Sequence, residues 1–376
     1  MKINIITRHA VFNYGSLLQG IATVNIFERF GYEAEIIDYI NRQENFFNEI
    51  IASSKKRNYK KIKSIVYIVP KMFDQLCRSI KLKRYKERYL KLSKKYSSLE
   101  ELQTVDFKEE YLCSGSDQLW GYMPNYMGQG KEDPAYFLSF GSEKNRYFSF
   151  SASFGRTDFD EEYYRSLNKY LKKFSFITVR EQSGVSLIEK YTPYKAEHVL
   201  DPTLMVESEF WHSFANKKIK ERPYILLYQL RQNQEIDKYV KELARRKGLQ
   251  VIRVTMCIYD IFRFGRAKIL KDLNYVLSLF RDAQYVVSES FHATVFSLIF
   301  NRKFMDFLPN KTYVRIVDLL EMVKLSDRTA TWTEKDFEII DNEIDWQRVN
   351  AVLEEKRKES CEIVKHGLAA LENEEE

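Results

Sequence analysis

Three side chains of this sequence, His292, Arg180 and Asp117, have types and positions that suit acid–base and anion-binding chemistry. The histidine follows an apolar run that predicts a buried strand at 284–287, and Thr294 begins an apolar run that predicts a helix. A strand-to-helix turn of a parallel sheet lies at the edge where ligands bind, and a helix N-terminus attracts anions. The sequence therefore predicts that His292 meets a phosphate or a carboxylate. A buried histidine with a structural role is the alternative.

The arginine and the aspartate each follow a predicted strand as well. Arg180 is expected to bind a carboxylate or phosphate through two of its guanidinium N–H groups, as an anion clamp. An ion pair with Glu181 or Asp201 is the alternative for this arginine. Asp117 is a candidate general base for a hydroxyl, and the alternative is an aspartate that caps a helix.

Alternating strand and helix patterns in both halves predict an α/β fold with two Rossmann-like domains that face a cleft. The predicted N-terminal domain spans 1–205 and contains a basic helical insertion at about 43–103. The predicted C-terminal domain spans 222–340, and a helix at 341–376 is expected to pack back on the first domain. A chain of 376 residues is long enough for two hydrophobic cores.

Composition favours a cytoplasmic enzyme. Hydrophobic residues make up 44% of the chain, which contains only four cysteines and five histidines. Neither residue type shows the spacing of a disulfide framework or a structural metal site, so we expect no metal and no cofactor. No apolar stretch has the length of a signal peptide core or of a membrane span, which requires about 20 residues.

Positive charge is concentrated in the segment 53–97, which contains sixteen Lys and Arg residues and only two acidic residues, Asp74 and Glu87. This segment carries a net charge of +14 in a chain whose total is +7. Apolar residues recur within it at helical spacing, which is typical of a helix that lies on an anionic membrane surface. The alternative is that the apolar stripe covers the first domain. Without a nucleic-acid-binding motif, the segment does not indicate a specific nucleic-acid partner.

Seven short motifs occur in the order found in one known family, and they span roughly residues 3 to 328. They are Asn13-Tyr14-Gly15 with Gln19, Gly115-Ser116-Asp117-Gln118 with Trp120, Ser151-Ala152-Ser153-Phe154-Gly155, Val179-Arg180-Glu181-Gln182-Ser183, Asp201-Pro202-Thr203, Ser288-Glu289-Ser290-Phe291-His292-Ala293-Thr294, and Arg315 with Leu325-Ser326-Asp327-Arg328. Together they resemble the polysaccharide pyruvyltransferase family. The chain departs from the family pattern at Glu289, where aspartate is usual, and at Ala293, where glycine is usual. Because alanine resists left-handed backbone angles, the turn after His292 must be helical.

This resemblance implies a GT-B-type arrangement and a ketal-forming transferase. Such an enzyme transfers a pyruvyl group from phosphoenolpyruvate, its co-substrate, to a sugar of a cell-surface polysaccharide, such as a capsule or exopolysaccharide, or of its lipid-linked precursor. The protein would then work in the cytoplasm, at the inner face of the cell membrane. Two other functions remain open: a GT-B glycosyltransferase that uses a nucleotide sugar, and a non-catalytic scaffold for polysaccharide assembly.

The resemblance also assigns roles to residues. His292 is expected to protonate the donor or to bind its phosphate, next to the Ser290 hydroxyl and the amides of Ala293 and Thr294. Further donor-side residues are Glu289 and two additional anion clamps, Arg231 and Arg315, of which Arg315 has Glu289 or Asp318 as alternative partners. The acceptor-side residues are Asn13, Tyr14, Gly15, Gln19, Ser116 and Gln118.

Overall fold

The computed structural model describes residues 1–41, 61–123, 130–308 and 313–373, with only the backbone described at 61–68. The chain divides into two compact units. Unit 1 consists of Met1–Phe12, Gln19–Pro202 and Ser360–Glu376, and unit 2 consists of Asn13–Leu18 and Thr203–Glu359.

Unit 1 is built on a six-stranded parallel sheet with a small four-stranded parallel sheet beside it. Its strands are β1 Lys2–Ile6, β2 Glu33–Tyr39, β3 Leu92–Tyr96, β4 Tyr111–Ser114, β5 Asp117–Gln118, β6 Arg146–Ser149, β7 Ala152–Ser153, β8 Phe174–Phe176, β9 Thr178–Val179 and β10 Glu197–His198. The large sheet has the order β3-β2-β1-β4-β6-β8, which is the Rossmann order. The small sheet has the order β10-β9-β7-β5 and brings the short strands after β4, β6 and β8 together.

The helices of this part of the chain are α1 Tyr14–Arg29, α2 Lys61–Tyr89, α3 Leu99–Gln103, α4 Glu161–Leu171 and α5 Gln182–Tyr191. The predicted helical insertion at 43–103 needs a correction, because β3 interrupts it and pairs with β2 at the edge of the large sheet. The exposed lysines Lys94 and Lys95 obscured this strand in the sequence, and such charges are common on edge strands. Residues 42–60 of the insertion lie outside the described residues.

Unit 2 contains a five-stranded parallel sheet of order β13-β12-β11-β14-β15. Its strands are β11 Tyr224–Tyr228, β12 Gln250–Thr255, β13 Arg266–Ile269, β14 Tyr285–Ser288 and β15 Lys303–Asp306. The helices that follow α5 are α6 Pro202–Met205, α7 Ser208–Phe214, α8 Gln234–Lys247, α9 Leu273–Asp282, α10 Phe291–Ile299, α11 Val314–Met322, α12 Asp336–Ile339 and α13 Trp346–Asn373. Both large sheets thus follow the Rossmann order, and the predicted α/β class with two Rossmann-like units is confirmed.

The helix α13 begins in unit 2 and ends in unit 1. Its last turns bury Val364, Leu368 and Leu371, and Gly367 lies so close to the ring of Phe176 that an added Cβ would stand 2.8 Å from it. Among the described residues, no helix combines the length and the apolarity that crossing a membrane requires.

Candidate functional site

The point where the strand order of unit 2 reverses lies between β11 and β14, which pair directly with each other. The chain leaves β11 toward β12 on one side, whereas β15 lies on the far side of β14. Ligands of open parallel sheets bind outside the carboxyl ends of the strands at such a point. Arg231 follows β11, and Glu289, Ser290 and His292 follow β14, so the fold brings four of the predicted residues to this edge.

His292 is the second residue of α10 and is 4% exposed. Its ring lies directly against Gly15, because a Cβ added to that glycine would overlap the imidazole Nδ1 and would come within 2.8 Å of the Cβ of His292. A glycine is therefore required at position 15 for the histidine to take up this position. The sequence placed Gly15 in the N-terminal domain, yet in the structure it belongs to unit 2 with His292.

Asn13 fixes the segment that carries this glycine. Its Oδ1 accepts the amide of Gly15 at 2.9 Å, which caps the start of α1. The same oxygen accepts the hydroxyl of Tyr228, at the end of β11, at 3.1 Å. Tyr14 is buried, with its ring centroid 6.5 Å from that of Tyr228. The predicted residues Asn13, Tyr14 and Gly15 thus contact the end of β11 and the start of α10.

The prediction that the amides of Ala293 and Thr294 bind an anion needs a correction. Both amides donate to the carbonyl of Ser290, at 2.9 and 3.1 Å, as part of the first turn of α10. The hydroxyl of Thr294 donates to Asp306 Oδ2 at 2.8 Å, at the end of β15. The helical backbone expected after His292 is present, and it engages the two amides that were expected to face the donor.

Asp306 is fully buried, and the sequence did not indicate a role for it. Burial raises the pKa of its carboxyl group to about 8, although the hydrogen bond from Thr294 acts in the opposite direction. A carboxyl group under the first turn of α10 is therefore protonated through much of the physiological range.

The cationic side of this edge carries Arg231 and Arg315, with Glu289 and Tyr313 beside them. The amide of Arg231 donates to Glu289 Oε1 at 2.8 Å. Burial raises the pKa of Glu289, and the amide of Arg231 lowers it in part. Burial also raises the pKa of Tyr313, which Glu289 raises further and the two arginines lower. Arg315 places its guanidinium carbon 5.5 Å from the centre of the Phe291 ring.

In unit 1, a second group of predicted residues gathers at the carboxyl ends of the small sheet. Arg180 follows β9, and its Nη1 donates to Asp201 Oδ2 at 2.6 Å, while its Nη2 lies 3.4 Å from Asp117 Oδ1. The Oε2 of Glu181 lies 4.0 Å from the Arg180 Nε. Burial alone would lower the pKa of Arg180, but the three carboxylates outweigh it and raise that pKa. The ion pair that the sequence offered as the alternative is therefore present.

Asp117 does not cap a helix, which corrects the alternative expected for it. It lies in β5 with a φ of 91°, a strained angle for a residue other than glycine. Its side chain accepts the amide of Gln118 at 2.8 Å, and the side chain of Gln118 packs over Gly155. The hydroxyl of Ser116 lies 3.3 Å from Asp201 Oδ2. Strain of this kind concentrates at functional sites. With 12% of its side chain exposed, Asp117 is also the most accessible of the four charged residues of this cluster.

Gln19 is buried completely and donates to the hydroxyl of Thr7 at 2.9 Å, and its contact with an acceptor stays a prediction.

A charged group in unit 1 escaped the sequence analysis. His9 Nε2 lies 2.7 Å and Lys86 Nζ 2.8 Å from Asp38 Oδ1. Burial would raise the pKa of Asp38, but the bonds from His9 and Lys86 lower it to about 2. The signal that could have found this group is His9, three residues after the end of β1.

Within the described residues, no group of three or more His, Cys, Asp and Glu side chains has an arrangement that could hold a metal ion.

Comparison with known proteins decides the family. The sequence pattern of the family described as polysaccharide pyruvyl transferase matches residues 13–311, well over half of the chain. The chain belongs to this family. The range matched by the polysaccharide pyruvyl transferase family contains Gly15, Asp117, Arg180 and His292. The family is one of transferases in polysaccharide synthesis. No match was found among curated proteins.

The chain is also similar, at low sequence identity, to several solved structures. A UDP-N-acetylglucosamine 2-epimerase from Rickettsia bellii is 13% identical, with 97% of this chain and 96% of that chain covered and a TM-score of 0.49. The UDP-GlcNAc 2-epimerase from Methanocaldococcus jannaschii is 12% identical, with 93% and 95% covered and a TM-score of 0.46. The E. coli heptosyltransferase WaaC with ADP is 10% identical, with 95% and 100% covered and a TM-score of 0.40.

Proposed function

We propose that this polysaccharide pyruvyl transferase moves a pyruvyl group from phosphoenolpyruvate to two hydroxyls of one sugar and forms a cyclic ketal. The acceptor is a cell-surface polysaccharide or its lipid-linked precursor, reached at the inner face of the membrane. The observation that carries the proposal is the contact of His292 with Gly15, two residues within the range matched by the family, at the sheet edge where Arg231 follows β11. The proposed reaction uses no metal and no cofactor.

The reaction requires one proton to be added to carbon and two to be removed from oxygen. Protonation of the methylene carbon of phosphoenolpyruvate turns it into a methyl group and leaves an electrophilic centre at the neighbouring carbon. One sugar hydroxyl attacks that carbon and loses its proton. The bond from carbon to the phosphate oxygen then breaks, and the second hydroxyl takes its place. One of the two hydroxyl protons replaces the proton added to carbon, and the departing phosphate takes up the other. The products are the ketal and hydrogen phosphate, with no net release of protons.

The donor side of this chemistry is assigned to unit 2. Phosphoenolpyruvate carries a phosphate and a carboxylate, and Arg231 and Arg315 are two cations beside the end of β14 that can bind them. His292 is the proposed acid for the methylene carbon or the proposed ligand of the phosphate, and its imidazole packs against Gly15. Glu289 sets the position of the Arg231 backbone through their hydrogen bond.

The acceptor side is assigned to unit 1. Asp117 is the proposed base for a sugar hydroxyl, since a carboxylate within hydrogen-bond reach can take its proton. Arg180 acts here as a positioning residue that holds Asp117 and Asp201, because its guanidinium is already paired with both carboxylates. This role replaces the anion clamp expected from the sequence.

The test is a coupled assay of phosphate release from phosphoenolpyruvate with a panel of glycans, and mass spectrometry of the glycan product. We expect phosphate release that depends on the acceptor and a product that gains one pyruvyl group. His292→Ala should lower turnover by about 10²-fold or more if the imidazole is the acid. A lower donor affinity at unchanged turnover would assign it to phosphate binding. Transfer from a nucleotide sugar, or no turnover with any donor, would contradict the proposal.

A further inference from the structure

The long helix α2 presents its apolar side chains outward. Five large residues lie on one stripe of the helix at spacings of three and four, and each is between 43% and 62% exposed. They are Val69, Met72, Phe73, Leu76 and Ile80. Large apolar residues scattered singly on a surface need no explanation, but a continuous stripe of five along one helix marks an interaction surface.

The opposite side of the same turns is polar and buried. Asp74 and Gln75 are each 4% exposed, and Asp74 forms an ion pair with Arg78 one turn later. Further along, Lys86 is buried against Asp38, which also accepts a bond from His9. Turning the helix to bury its apolar stripe would break these contacts and would leave Asp38 without Lys86. The outward direction of the stripe is therefore fixed by the charges under the helix.

The exposed stripe continues into basic residues. After Ile80 the exposed positions of the helix are Lys83, Arg84, Glu87 and Arg88, three basic residues and one acidic residue, and Lys83 Nζ lies 3.7 Å from Glu87 Oε1. The helix Lys61–Tyr89 contains nine Lys and Arg residues and only two acidic residues, Asp74 and Glu87, so its net charge is +7. A second copy of this helix would meet the same positive charge, so association of two copies through this surface is unfavourable. A surface with anionic groups outside and an apolar interior complements both the apolar stripe and the basic residues that follow it.

We propose that α2 docks on an anionic lipid bilayer, with Val69, Met72, Phe73, Leu76 and Ile80 at the boundary of the acyl chains and the basic residues on the headgroups. This inference rests on the exposure and charge of α2 and is independent of the proposed pyruvyl transfer. Docking would hold the protein at the surface where a lipid-linked substrate resides. The helix is about 43 Å long at about 1.5 Å per residue, so it can contact many lipids at once.

The experiment is flotation of the full-length protein with vesicles of phosphatidylcholine alone or mixed with phosphatidylglycerol. We expect flotation only with the anionic vesicles at about 0.1 M salt, and little at about 1 M salt, where the Debye length falls from about 10 Å to about 3 Å. No flotation with phosphatidylglycerol vesicles at the lower salt would overturn the proposal. Because no turnover is measured, this failure is distinct from a failure of the proposed reaction.

A pair of triple variants tests the apolar half of the stripe. Met72→Ser with Phe73→Ser and Leu76→Ser should reduce vesicle binding at least about tenfold, since three inserted side chains are lost. The matched control replaces three exposed apolar residues of unit 2 by serine and should bind vesicles as the native protein does; these residues are Ile261, Phe262 and Phe264. Equal binding by both variants would refute docking through α2. A native dimer that the first variant dissociates, measured by light scattering, would instead assign the stripe to contacts between copies.

Charge reversal tests the basic half. Lys83→Glu, Arg84→Glu and Arg88→Glu together should abolish the preference for phosphatidylglycerol. Lys217→Glu, Lys218→Glu and Lys220→Glu change the same amount of charge on exposed lysines of unit 2, and should leave that preference in place. Thermal unfolding of every variant verifies that the protein remains folded. Equal loss in both charge variants would show attraction by net charge alone and would overturn the specific role of α2.

Discussion

Gly15 and His292 act as one pair, because the imidazole occupies the space that a side chain at position 15 would need. Gly15→Ala is expected to displace His292 and to lower turnover by about 10²-fold, as a shift of about 1 Å at a reacting group can do. Gly20→Ala is the matched control in the same helix, since its Cβ would meet only the flexible ends of Ile36 and Leu90 at 3.3 and 3.4 Å. Phosphate-release kinetics of both variants check this. Equal activity in the two would show that the position of His292 does not matter.

The buried carboxyl group of Asp306 makes the free energy of unfolding depend on pH. Its pKa of about 8 in the folded protein lies above the ordinary value of an aspartate in the unfolded chain, about 3.9. The folded protein therefore holds a proton that the unfolded chain releases, so its free energy of unfolding falls as the pH rises from about 4 to about 8 and levels off above that. The slope for this one group is at most about 1.4 kcal/mol per pH unit.

Asp306→Asn removes this titration and keeps an acceptor for Thr294. We expect the free energy of unfolding of the variant to rise above that of the native protein between pH 5 and pH 8. The gain is about 1.4 kcal/mol for each unit by which the pKa of Asp306 in the folded protein exceeds its value in the unfolded chain. Urea unfolding of both proteins across this range measures the gap, and the comparison cancels titrations that they share. A gap that stays constant with pH would contradict the buried, protonated carboxyl group.

At the scale of elements, the small sheet of unit 1 depends on Arg180. Its guanidinium is fully buried and neutralises Asp201, which is buried as well. Arg180→Met leaves that carboxylate without its partner and should cost about 3–5 kcal/mol in the free energy of unfolding. Arg156→Met is the control, since the pair of Arg156 with Asp158 is largely exposed and such pairs contribute about 0–1 kcal/mol. Similar costs for the two variants in denaturant unfolding would show that Arg180 does not support the sheet.

At the scale of the whole molecule, unit 1 is completed by the far end of the chain. Val364, Leu368 and Leu371 of α13 are buried there, and the amide of Leu200 donates to Ser360 Oγ at 3.0 Å. A chain that ends at Glu359 loses three buried side chains worth about 1.5–3 kcal/mol each. It should show a lower unfolding temperature in calorimetry.

A chain that ends at Asn373 serves as the control for this truncation, because it keeps every described contact of α13. It should unfold like the native protein. If the chain that ends at Glu359 also unfolds at the native temperature, the end of α13 contributes no stability to unit 1.

The sequence by itself determined the alternation of strands and helices, the division into two Rossmann-like units and the position of His292 after a strand. These features depend on local periodicity and on short motifs, which a single sequence displays directly. It missed β3, β13 and β15, because short edge strands carry charged residues and little apolar pattern. It also gave Ala293 and Thr294 an anion-binding role that only their hydrogen bonds within α10 could correct.

The tertiary structure alone decided which groups meet. Gly15 belongs with His292, although 277 positions separate them in the chain, and Arg180 belongs with Asp117 and Asp201 rather than open to a ligand. The same holds for α2, for which periodicity allowed either a stripe that covers the first domain or one that lies on a membrane, and whose apolar stripe is exposed in the structure. The physical reason is that burial of a charge depends on a partner from elsewhere in the chain, as Lys86 depends on Asp38, and no local pattern contains that partner.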